Sequence, residues 1–311
     1  MIARLLTSGP QGYAEAAALL REGRLVALPT ETVYGLAGDA RSESAIESIY
    51  TAKGRPSHNP LITHLLEPET VETYAHVSPL ASALIDQFWP GPLTLVLPRR
   101  TSDLAERASA GLTTIALRCP DAPWREGLKQ AGWAAPLVMP SANLSGHVSP
   151  TTAQHVMDDL GDRIDLIIDG GPCAAGLEST VIRVDDSSAV LLRNGAISSD
   201  TIEAVTGPLS RPNPDSPIAS PGMLSRHYAP EARLRINAET ADSGEILIGF
   251  GPGYQEPNLS PSGDLEEAAR NLYQLLRDLD GPNRKLAVAP IPETGLGAAI
   301  NDRLRRAALG R

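Results

Sequence analysis

Lysine is nearly missing from this 311-residue sequence: of 27 basic residues only Lys53, Lys129 and Lys285 are lysine, and the rest are arginine. In such a chain a lysine inside a dense polar segment suggests that a compact ammonium is wanted there. Cysteine is equally scarce. With Cys119 and Cys173 alone, a disulfide framework and a four-thiolate metal site are both excluded, and two inert thiols in a reducing cytoplasm are expected. No apolar run approaches the roughly 18 residues that span a bilayer, so no membrane segment is expected. The start, MIARLLTSGPQGYAEAAALL, is too polar for a secretory signal and lacks a small-residue cleavage pattern. A Walker A loop, a G-x-S-x-G elbow and an H-x-x-x-H pair are all absent, which argues against a P-loop, a serine hydrolase and a structural zinc site.

A broadly basic face is missing too. Residues 1–207 carry 15 basic against 24 acidic side chains, a net −9, and 208–311 carry 12 against 13, a net −1. With no aromatic-studded basic surface, an RNA-binding translation factor without catalysis is disfavoured, and a weak RNA contact is the most that this pattern leaves. Hydrophobic residues make up 42% and charged residues 21%, as in a soluble globular chain, and the length suggests two domains.

What is present alternates. Helical spacing over 12–22 leads to an apolar strand at 24–28, and further strands are expected at 61–65, 93–98, 113–118, 135–140 and 165–169, with helices such as 79–89 between them. This predicts an α/β fold: a twisted mixed, largely parallel sheet with helices packed on it. TVIRV (180–184) and AVLLR (189–193) resemble a hairpin, and DTIEAVTG closes a first domain over 1–207. Residues 208–231 begin with a stretch holding six prolines and read as a linker, expected to fold back as a lid over a site. Residues 232–311 read as a small Rossmann-like α/β domain, in which GFGPG is a plain turn because Pro252 spoils a dinucleotide pattern.

Polar chemistry gathers in a few places. In PTETVYG, an extended backbone would put Thr30, Thr32 and Tyr34 on one face and Glu31 and Val33 on the other. A row of hydroxyls is either a ligand shelf or simply good strand residues. SESAIESIYTAKG reads as a helix with Ser44 and Glu47 in capping-box spacing and Gly54 as its stop, placing Lys53 at its end. Lys53 and Arg55 then precede Pro56 and Pro60, and cations on a rigid turn suit carboxylate or phosphate. In PSANLSGHVSPTTAQHV, Ser141, Asn143 and Ser145 precede a helix start at which Thr151 and Gln154 form a second capping box, a ready anion site. Ser179, Thr180, Arg193 and Arg118 stand at strand ends, where ligands gather in open α/β sheets.

Six ordered motifs, PTETVYGL, KGRPSHNPL, PSANLSG, LESTV, LRNG and SPGMLSRHYAP, make the chain similar to the threonylcarbamoyl-AMP synthase family in its longer form, a YrdC-like catalytic domain with a small C-terminal domain. The resemblance implies condensation of L-threonine, bicarbonate or CO2, and ATP to threonylcarbamoyl-AMP and pyrophosphate. The product would pass to the machinery that modifies the adenosine next to the anticodon in tRNA. Carried over, it implies that Thr32, His64, Arg118 and Ser179 contact threonine. ATP would be held by Arg55, Asn59, Thr114, Ser141, Asn143, Thr151, Arg193 and Tyr228, and Lys53 and Arg55 would meet the charge at the carbamate and phosphates. Mg2+ is expected with ATP, although no carboxylate cluster resembles a dedicated metal cage. Carbamoyl transfer to another acceptor is the alternative within enzymes, disfavoured because the acylphosphatase-like and zinc-binding modules of such proteins are absent.

Overall fold

Short apolar runs become the strands of one large sheet: β1 (Arg4–Thr7), β2 (Val26–Leu28), β3 (Gly35–Asp39), β4 (Ile62–His64), β5 (Leu93–Pro98), β6 (Thr114–Arg118), β7 (Leu137–Val138), β8 (Leu166–Asp169), β9 (Thr180–Val184) and β10 (Ala189–Arg193). Their order is β1-β8-β2-β3-β7-β4-β6-β5-β9-β10. The pairs β1/β8, β2/β8, β4/β6 and β5/β9 are parallel, and the others antiparallel. A second, wholly parallel sheet of β11 (Arg233–Arg235), β12 (Glu245–Ile248) and β13 (Lys285–Val288) is ordered β11-β13-β12. Helices α1 (Pro10–Arg21), α2 (Glu43–Lys53), α3 (Val71–Tyr74), α4 (Pro79–Phe88), α5 (Trp124–Gln130), α6 (Ala153–Leu160) and α7 (Ser199–Thr206) accompany the large sheet, and α8 (Leu265–Asp278) and α9 (Gly297–Ala308) the small one. This computed structural model describes residues 2–57, 59–212 and 228–310; His58 and 213–227, the greater part of the expected lid, lie outside the described residues.

The period-2 geometry of a strand explains why β2 is apolar at every position. Val26 and Leu28 pack with α1 and α5 in one core, and Ala27 packs in another with Ile46 and Ile49 of α2. A third core lies between the small sheet and α8 and α9.

Three expectations need correction. Residues 30–34 are not extended, because the Thr30 hydroxyl accepts from the backbone N–H groups of Thr32 and Val33 at 3.1 and 3.2 Å and closes a tight turn. A short hydroxyl side chain competes with the strand ladder in this way, so the alternating shelf does not form. The caps are also shifted: Ser42, not Ser44, accepts from Ala45 N–H to start α2, and Thr152, not Thr151, accepts from His155 N–H to start α6. In each helix the residue that keeps extended backbone is the cap. Strands β1, β3 and β11 carry little of the expected pattern. In β3 two glycines sit at close approaches: a Cβ at Gly35 would lie 2.7 Å from the movable Met139 Cε, and one at Gly38 3.1 Å from Ile49 Cδ1.

Candidate active site

The site starts where β2 ends. The Trp124 indole, fully buried, donates to Pro29 O at 2.8 Å and fixes the chain as it leaves the strand. The Thr30 turn then presents Thr32 inward, while Tyr34 acts as a bolt: its hydroxyl donates to Gly171 O at 2.8 Å and accepts from Gly170 N–H at 3.1 Å. Tyr34 therefore serves the backbone, and Thr30 closes the turn and also shares a 2.8 Å hydrogen bond with the Thr32 hydroxyl.

Arg118 ends β6 in register with His64 on β4, so both project from one face of the sheet. Its Nη1 donates to Thr32 Oγ1 at 2.9 Å, its Nε to Gly91 O at 3.1 Å, and its Nη2 makes a 2.8 Å ion pair with Glu31 Oε1. Burial and the adjacent Arg118 charge pull the His64 pKa down to about 3, so the ring is neutral near pH 7. Its Nδ1 lies 3.2 Å from Ile62 O, an acceptor only, which puts the proton on Nδ1 and leaves Nε2 as an acceptor.

The hairpin supplies the far wall. Ser179 Oγ shares a hydrogen bond with Thr94 Oγ1 at 2.7 Å, and Arg193 donates Nε and Nη2 to Ser179 O at 3.2 and 2.9 Å. Gly195 of LRNG permits this contact, because a Cβ there would lie 2.4 Å from Glu178 O and Ser179 C. Burial lowers the Arg55 pKa to about 10, still charged at neutral pH, and its Nη2 donates to Pro60 O at 3.1 Å.

These residues line one cleft. Thr32, His64, Arg118, Ser179, Arg55, Ser141, Arg193 and Tyr228 all border it, together with apolar Ile62 and Met139, around about 530 Å3 of space including solvent at its mouth. The cleft gathers at strand ends: His64 closes β4, Arg118 closes β6 and Arg193 closes β10, while Ser141 follows β7 and Ser179 precedes β9. Short antiparallel neighbours turn the polypeptide back there, and Ile62 and His64 project from the same face as their β6 partners Ala116 and Arg118.

Five expected residues stand outside the lining. Lys53 is buried, and its ammonium donates to the carbonyls of Ser141 and Asn143, pinning that loop. Burial and Arg55 push its pKa well down. Thr114 lies on the Arg118 face of β6, at the opposite end of the strand, and Thr151 is buried with its hydroxyl 3.4 Å from His155 Nδ1. Asn59 and Asn143 are buried, and among the described residues each has an Oδ1 without a hydrogen-bond partner, as does the Nε of Arg55. Unsatisfied buried polar atoms cost roughly 1–3 kcal/mol each, and of the three only the Arg55 Nε belongs to a residue that lines the cleft.

Spacing along the chain does not single out Glu31 or Glu178, although they lie inside PTETVYGL and LESTV. The only signal was an ionisable side chain between residues bound for burial. Glu178 borders the cleft, and despite burial the charges of Arg303 and Arg193 hold its pKa at about 2. With His64 neutral, three guanidiniums against this one carboxylate leave the lining net positive, worth more in a desolvated cleft than in water. Among the described residues no three His, Cys, Asp or Glu side chains could share a metal ion, and Glu178 is committed to protein partners.

Two family models match the chain. The Sua5/YciO/YrdC model, described as "Telomere recombination", covers residues 18–195, and "Threonylcarbamoyl-AMP synthase, C-terminal domain" covers 197–309. The threonylcarbamoyl-AMP synthase of Bacillus subtilis (strain 168) is 44% identical over 335 residues, spanning 99% of this chain and 95% of the relative. That of Pyrococcus abyssi is 40% identical, spanning 94% and 92%. The crystal structure of P. abyssi Sua5 complexed with L-threonine superposes with a TM-score of 0.87 at 37% identity, covering 99% of this chain and 98% of that one.

Proposed function

The chain belongs to the threonylcarbamoyl-AMP synthase family, and from that premise we propose that it condenses L-threonine, bicarbonate or CO2, and ATP into threonylcarbamoyl-AMP and pyrophosphate. The observation that carries this reading is the buried cleft in which Arg55, Arg118 and Arg193 face a single carboxylate, beside a polar corner of Thr32, His64 and Ser179. The threonine amine adds to CO2 to give a carbamate and loses a proton. A carbamate oxygen then attacks the α-phosphorus of ATP, the bond to the bridging oxygen breaks, and pyrophosphate leaves. Bringing two anions together makes positioning and charge neutralisation the main source of rate.

We assign Thr32, His64, Arg118 and Ser179 to threonine, with Arg118 for the carboxylate and the His64 Nε2 lone pair as an acceptor for the ammonium or hydroxyl. Arg55, Ser141, Arg193 and Tyr228 face ATP, supported by Asn59, Asn143, Thr114 and Thr151. Lys53 acts here by holding the 141–143 loop, since its donors already meet two carbonyls. Mg2+ arrives with the nucleotide, and no protein ligands are assigned to it. Residues 1–207 form the catalytic domain, 208–231 the linker and 232–311 the C-terminal domain, and the product passes to the enzymes that modify tRNA. No helix among the described residues is long and apolar enough to cross a membrane, and a cytoplasmic setting suits the buried free cysteines.

Incubation with ATP, bicarbonate and single amino acids, following pyrophosphate, tests the reading. Release that depends on threonine is expected; release with every amino acid alike, or none, overturns it.

A further inference from the structure

The C-terminal domain reaches the cleft through one buried carboxylate. Glu178 accepts from Ser149 Oγ at 2.6 Å, from Tyr273 of α8 at 2.9 and 3.0 Å, and from Arg303 Nε of α9 at 2.8 Å. Arg303 is fully buried and forked, with Nη2 donating to Asn194 O at 2.9 Å and Nη1 to Asp302 at 2.8 Å. Its guanidinium lies 5.0 Å from the ring of Tyr228, which stacks on Tyr273 at 6.0 Å. One side chain from α9 thus joins the residue before Ser179, the residue after Arg193 and the ring of Tyr228.

A buried carboxylate must be balanced by a cation. Two are at hand, Arg303 and the cleft residue Arg193, which already lies against the Ser179 carbonyl one residue from Glu178. Building on the ATP assignment of Arg193, we infer that Arg303 is a positioning residue for nucleotide binding: by balancing Glu178 and clamping Asn194, it keeps Arg193 directed at the phosphates instead of drawn onto the carboxylate. The C-terminal domain thereby completes the nucleotide side of the cleft. Among the described residues Arg303 hydrogen-bonds to Glu178, Asn194 and Asp302 and to neither Thr32 nor His64, although Val33 beside Thr32 packs in the C-terminal core.

A charge-compensation cycle in the full-length chain tests this without turnover. Calorimetric binding of α,β-methylene-ATP is expected to weaken at least tenfold in Arg303→Met, with threonine affinity changed less than threefold. The double variant Arg303→Met/Glu178→Gln, which removes the unbalanced carboxylate, is expected to return nucleotide affinity to within threefold of wild type. A merely structural role predicts the reverse, because the amide introduced by Glu178→Gln accepts at one oxygen only and disturbs the hydrogen bonds from Ser149 and Tyr273 as well. Unchanged nucleotide affinity in Arg303→Met, or a double variant no better than the single one, overturns the inference. If Arg303→Met does not fold, Arg303→Lys keeps the charge without the fork and is expected to lose at least threefold; wild-type affinity there is equally fatal. A wild-type protein that binds nucleotide yet shows no threonine-dependent pyrophosphate release overturns the proposed reaction and not this positioning; one that binds no nucleotide overturns both.

Discussion

A single guanidinium organises the threonine corner. Arg118 serves Thr32, Gly91 and Glu31 at once, a task for a planar fork and not for a point charge. Arg118→Lys is therefore expected to raise the threonine KM roughly tenfold or more, the scale of one or two charge-assisted hydrogen bonds. Threonine titrations in the pyrophosphate assay measure it, and an unchanged KM removes Arg118 from the corner. Most of this site was legible residue by residue: eight of the expected side chains border the cleft. Lys53 was not, because its scarcity signalled a specific need but could not tell a substrate charge from two backbone carbonyls 88 and 90 residues away.

At the level of elements, motifs act through backbone geometry. The α2 cap at Ser42 should be worth about 1 kcal/mol, whereas Ser44, already inside the helix, should matter by less than about 0.5 kcal/mol. Denaturation of Ser42→Ala and Ser44→Ala separates the two, and equal losses would contradict the assignment. The LRNG glycine is a harsher case. Three backbone atoms lie 2.4 Å from a Cβ at Gly195, so Gly195→Ala must push β9 and β10 apart, costing on the order of 3 kcal/mol or more and disrupting both Ser179 and Arg193. Near-wild-type melting and activity would refute that close approach. The long helices and the apolar strands β2, β5, β6 and β8 could be read because their apolar patterns are strong, whereas the glycine-bearing central strand β3 could not. The 30–34 turn could not, since a Thr-x-Thr alternation fits a strand and a hydroxyl-closed turn equally well.

For the whole molecule, buried titratable groups point the same way. His64 and His155 are depressed to about 3 and 4, mainly by burial, and Glu178 and Asp159 are held at about 2 despite burial by Arg303 and Arg193 and by His147 and Arg277. All four folded values lie below the unfolded ones, so each contribution is complete above the unfolded pKa and is lost as pH falls toward the folded one. The histidines lose theirs first, below about pH 6.5, at roughly 2 kcal/mol each between pH 7 and 5, and the carboxylates follow below about pH 4.5. Melting should drop by several degrees between pH 7 and 5; a flat profile would show that the histidines are not buried neutral. Asp159 and Glu178 also pair with α8 and α9, so acid should loosen the contact between the domains. By itself the sequence determined the α/β character, the polar motifs and the reaction they imply, because apolar period and motif order are local properties of the chain. Only the tertiary structure decided that residues at the ends of β4, β6, β7, β9 and β10 share one cleft, that Lys53 donates to the carbonyls of Ser141 and Asn143, and that Glu178 pairs with Arg303 of α9. Those facts depend on which distant groups share one buried volume, and no spacing along the chain encodes the charge balance of such a volume.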